Sequence, residues 1–150
     1  MPVATSPGNP FIRLWSAPAT PPSSRAPLLY SIDEALGVVF IDLLAVDDAA
    51  AVIQALQQVR LNPSFARDLN VCIDCRGLSH TPEPDDARAL ASLWPRAMTR
   101  GLTGRCAIVA SSVATYQSAR SFAAFAHVPI ARVRVFEHSA EALLWLTAAR

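Results

Sequence analysis

From Leu28 onward the chain alternates between short apolar runs and longer stretches whose apolar residues recur every three or four positions. That alternation is the mark of a sheet packed against helices, and it predicts an α/β domain. The runs Leu28 to Ile32 and Val38 to Leu44 are separated by Asp33-Glu34-Ala35-Leu36-Gly37, a polar connection ending in glycine. They are expected to pair as an antiparallel hairpin. Val46 to Leu61 reads as a helix capped by Asp47 or Asp48, with Val52, Leu56 and Val59 facing the sheet. After a turn at Asn62-Pro63, Leu69 to Asp74 has the composition of a strand buried on both faces.

The second helix is expected to open near Thr81-Pro82, with Ala87, Leu90, Ala91, Trp94 and Met98 inward and a kink or early stop at Pro95. Gly101 and Gly104 release the chain into a strand at Cys106 to Ala110. A helix from about Ala114 to Ala126 follows, with Tyr116, Ala119, Phe122, Ala123 and Ala126 inward. Val133 to Phe136 forms the last strand, and Ser139 caps a final helix burying Ala142, Leu143, Trp145 and Leu146. The expected architecture is a mixed, mostly parallel sheet of about five strands with about four helices. Strand order is left open, because it decides which face each helix covers.

Residues 1–26 read as a disordered, Pro-rich tail and 27–150 as the domain. The tail lacks a periodic apolar face; its Phe11, Ile12, Leu14 and Trp15 are expected to make a local hydrophobic contact, the alternative being packing onto the domain or a partner. The 13 basic residues, all arginine, nearly balance 12 acidic ones and form no run, which disfavours field-driven nucleic-acid binding. Three cysteines and the lack of a secretory pattern or an apolar span favour the cytoplasm and no membrane span.

Asp74-Cys75-Arg76-Gly77-Leu78 directly follows a buried strand. With it come Ala107 to Ser111 in the next strand, Tyr116 and Arg120 in the next helix, and Val135-Phe136 leading to Ala142 to Leu146. In this order and spacing, over roughly residues 27 to 147, the chain resembles the STAS domain family, typified by bacterial anti-sigma-factor antagonists. Within it the chain looks most like the SpoIIAA-like branch, whose fold is also likened to the CRAL-TRIO lipid-binding domains. The resemblance implies a non-catalytic regulatory module. The family's best-known members switch partners when a serine is phosphorylated in a loop reading Asp-Ser-Ser-Gly-Leu. Here that position is Arg76, which has no hydroxyl, and the resemblance does not carry the role to Ser79.

The loop Asp74 to Thr81 joins the carboxyl end of a strand to a helix N-terminus, where open α/β sheets usually bind ligands. Free amides, the positive helix end and Arg76 would favour an anion. The expected binding residues are therefore Asp74, Arg76, Gly77 and Ser79, with Ser112, Tyr116 and Arg120 overlooking the same edge. They would take a regulatory protein or a small anionic or lipid-like ligand, with no cofactor, metal or catalytic residue. The plainer alternative is that Asp74 caps the turn and Arg76 pairs with a neighbouring acid such as Asp85 or Asp86.

Cys72 and Cys75 spell C-x-x-C, but strand alternation points them to opposite faces, which argues for core cysteines. His80, His127 and His138 are scattered and read as surface or end-capping residues. Two other functions remain open: a small enzyme with Cys75 as nucleophile and His80 as base, or a structural homodimerisation domain.

Overall fold

The computed structural model describes residues 26–65, 68–94, 104–126 and 132–148. The expected tail, the kink at Pro95, Met98, Gly101 and His127 lie outside these residues. Five strands form one sheet: β1 (Leu28–Asp33), β2 (Val38–Leu43), β3 (Asn70–Asp74), β4 (Cys106–Val109) and β5 (Val133–Phe136). Four helices are described: α1 (Ala49–Arg60), α2 (Pro84–Trp94), α3 (Val113–Phe125) and α4 (Ser139–Thr147).

The hairpin β1–β2 is antiparallel, with Leu28 opposite Leu43 and Asp33 opposite Val38. Its turn works because Gly37 adopts φ +67°, a conformation that costs glycine little, while Asp33 Oδ1 accepts from the Leu36 amide at 3.0 Å. The remaining neighbours, β2–β3, β3–β4 and β4–β5, are parallel.

Strand order is β1-β2-β3-β4-β5. Each parallel strand is therefore added on the same side of the last, and right-handed crossovers then lay α1, α2 and α3 on one face. The packing follows: Ile41, Ile73 and Ile108 of the sheet share a core with Leu56, Leu90, Trp94 and Phe122. Trp94 and Phe122 meet edge-on at 5.1 Å. Helix α4 follows β5 and covers the opposite face, with Ala142 and Leu146 against Val38, Phe40, Cys72, Ala107 and Val109. Cys72 and Cys75 indeed lie in different cores, as strand alternation requires.

Asp48 caps α1, its Oδ1 accepting from the Ala51 amide at 3.1 Å. Two expected helix starts need correction. Helix α2 begins at Pro84 rather than near Thr81-Pro82, because Pro84 suits a first position that needs no amide donor and Asp86 Oδ2 takes the Glu83 amide at 3.0 Å. Ser139 does not cap α4: His138 holds the cap position without a side-chain bond, and Ser139 is already helical.

Asn70 ties α4 to the sheet. Its side chain, buried at the start of β3, donates to the Leu146 carbonyl at 2.7 Å and accepts from the Arg105 amide at 2.8 Å. Arg105 in turn donates to the Trp145 carbonyl at 2.6 Å and stacks on the Trp145 ring at 5.3 Å.

Candidate functional site

At the carboxyl edge of the sheet, the end of β3 and the residues after it fold into a clasped loop. The buried Asp74 carboxylate accepts the Arg76 amide through Oδ1 at 2.9 Å, and the Arg76 guanidinium at 3.0 Å through Oδ1 and at 2.8 and 3.1 Å through Oδ2. These charge-assisted bonds hold loop and side chain in one arrangement. Arg76 keeps 33% of its side chain exposed and is held more firmly in its charged form, first by the hydrogen bond to Asp74.

The plainer alternative is borne out in that Asp74 caps the turn and Arg76 pairs with a neighbouring acid, which is Asp74 itself, two residues away and buried beside it. The expectation of free amides is corrected for Arg76, Leu78 and Ser79. The Arg76 amide serves Asp74, Leu78 donates to the Cys75 carbonyl at 3.2 Å, and Ser79 donates to the Leu44 carbonyl at 3.2 Å.

The sequence reading missed Asp42. Parallel register sets it directly opposite Asp74. A side chain added at Gly77 would come within 3.3 Å of Asp42 Oδ1 and 3.5 Å of Leu44 Cδ2, so this glycine lets the loop settle onto the end of β2. The Asp42 carboxyl is pushed up to about 6, chiefly by burial and then by Asp74, with Arg76 opposing. A lone acid inside the apolar run Val38 to Leu44 was the signal that could have found it.

Ser112 and Ser79 lie in the loops after neighbouring strands, but Ser112 is occupied as the cap of α3, accepting from the Thr115 amide at 3.2 Å. Tyr116 packs half-buried against the larger core, and Arg120 is exposed one turn further on. The face of α3 that meets the loop before α2 instead carries Ser118, whose hydroxyl donates to the Pro82 carbonyl at 3.2 Å. The structure thus groups Asp74, Arg76, Gly77 and Ser79 with Asp42 and Leu44, and leaves Tyr116 on a different face of its helix.

Strand order relocates the crevice of the sheet. The loops after β3 and β4 both lead to helices on the same face, so no divergence separates them. The loops after β4 and β5 lead to opposite faces, and among the described residues only these two connections diverge in the manner of a switch point.

Cys75 faces the core with its thiol pushed up to about 12, first by burial and next by Asp74. His80 is exposed, with Nδ1 3.1 Å from the Ser79 hydroxyl oxygen. Catalysis by Cys75 needs a thiolate open to substrate, which this placement opposes. Among the described residues, no group of three or more His, Cys, Asp or Glu could hold a metal, and no helix is long and apolar enough to cross a membrane.

Compared with family models, with curated proteins and with solved structures, the chain matches none.

Proposed function

We propose that the chain is a non-catalytic, STAS-like regulatory module of the SpoIIAA-like kind, and that it docks a partner protein on the carboxyl edge of its sheet around Arg76, Gly77 and Ser79. The observation that carries this reading is the Asp74 clasp, which holds an exposed loop in one shape before any partner arrives. Binding to a preorganised surface avoids the entropy of ordering it. A small anion is the weaker ligand for this edge, because the Arg76 charge is already matched by Asp74 and lies near a second carboxyl, Asp42. The homodimer reading has less support. Leu36, Leu61, Val113, Phe125 and Leu144 are exposed at separate places along the chain, and single exposed apolar residues are ordinary.

A photo-crosslinking residue placed at Ser79 tests the proposal in cells of the source organism, with the same residue at Leu61 as control. A discrete adduct from position 79 that is absent from position 61, and that Arg76→Ala removes, is expected. Identical adducts from both positions, or an adduct indifferent to Arg76→Ala, would reject this surface.

A further inference from the structure

Between the sheet and α1–α3 the packing leaves a cavity of about 60 Å³. Its floor is Ile41, Ile73 and Ile108, and Leu90, Trp94 and Phe122 stand among its walls. Of the residues lining it, Leu78, Pro82, Asp86 and Ser118 are half-exposed and the rest are buried, so these four mark its mouth. A water molecule needs roughly 10–15 Å³ of such space and two to four polar partners. The volume would admit several waters, but the isoleucine floor and aromatic walls give them nothing to bond.

The size limits what else fits. The cavity is well under half of the roughly 150 Å³ that accommodates benzene in an apolar protein interior, so it suits a short, unbranched chain better than a ring. The mouth limits the head group. The Ser118 hydroxyl proton is given to Pro82, and Asp86 offers a carboxylate with acceptor capacity beyond its bond from Glu83. Glu83 and Asp85 beside it add negative charge.

We propose that this cavity binds the short alkyl chain of a small neutral or cationic amphiphile, with the polar head at the mouth beside Asp86. The cavity lies beneath the helices and adjoins the docking edge at Leu78, but its test reads methyl shifts from a small ligand and needs no partner protein, so its failure and that of the partner reading are distinguishable.

The full chain, labelled at isoleucine δ1 methyls, is titrated with n-butylamine, 1-butanol and butyrate at neutral pH. Saturable shifts are expected at Ile41, Ile73 and Ile108 but not at Ile53, which is buried outside the cavity lining. Butyrate should bind about fivefold more weakly than butylamine, the scale of one partly exposed charge contact. Ala119→Leu, which fills the cavity, should abolish the shifts. Asp86→Asn, at a half-exposed position, should keep the fold and erase the preference for the amine even if the filled variant does not fold. The proposal is overturned if no saturable shift appears up to tens of millimolar ligand, or if butyrate binds as well as butylamine. It is equally overturned if the free full chain shows cross-peaks from these methyls to the ring of Trp15, because the cavity would then belong to the N-terminal segment.

Discussion

Asp42 and Asp74 stand opposite each other at the carboxyl ends of the parallel strands β2 and β3, and the Arg76 guanidinium bonded to Asp74 acts on both. The Asp42 carboxyl titrates at about 6 in the folded chain against an ordinary 3.8. Between these values the folded state binds more protons than the unfolded one, so stability falls as pH rises through the window. A shift of this size corresponds to about 3 kcal/mol for a fully buried group, and half-exposure reduces it to about 1 kcal/mol. Asp42→Asn should therefore be more stable than the native chain by about 1 kcal/mol at pH 7, with the difference vanishing below about pH 4. Urea midpoints measured from pH 4 to 8 check this, and a constant difference across that range would refute the coupling.

Asn70→Ala should cost about 2–3 kcal/mol, because it leaves the Leu146 carbonyl and the Arg105 amide without their buried partner. The loss should appear first around α4, so Trp145 emission should change at lower urea than far-ultraviolet circular dichroism. Coincident transitions with native stability would show that the side chain ties nothing.

Gly104 needs the absence of a side chain for space. A Cβ there would overlap the Leu69 carbonyl oxygen, lie 2.8 Å from its carbon and 3.0 Å from Asn70 Oδ1. Gly104→Ala should destabilise by about 1–3 kcal/mol through forced backbone movement. Gly77→Ala, whose nearest neighbour is a side-chain oxygen at 3.3 Å, should cost less in the same melting experiment. The reverse ranking would contradict the close approach of β3 and β4 at their entry.

Cys75 should react with iodoacetamide at neutral pH at least on the order of a hundredfold more slowly than after denaturation, because both burial and a thiol at about 12 suppress its thiolate. Mass spectrometry of the native protein should find it unmodified. Rapid labelling of the native fold would restore the Cys75 enzyme reading.

Much of the fold is legible from local chemistry. The hairpin, the buried β3 run, the last strand and the inward stripe of α2 follow from alternation, helical spacing and a glycine-ended turn. The loop after β3 is also legible as a special place, since Asp74, Arg76 and Gly77 follow a buried strand. Its internal bonding is not: whether Arg76 turns to Asp74 or to Asp85 depends on geometry within the loop that residue types do not specify. The helix starts at Pro84 and Ser139 were misplaced for a related reason, as several polar residues near each end compete for the same few amides.

By itself the sequence determined the kind of elements, their order and which side of each is apolar, because propensity and periodicity act over a few neighbouring residues. Only the tertiary structure decided that strands are laid down in chain order. That choice put three helices on one face and left a cavity beneath them. It brought Asp42 opposite Asp74 and sent the connections after β4 and β5 to opposite faces. These relations join residues tens of positions apart, and their energies exist only once the crossovers have brought those residues together.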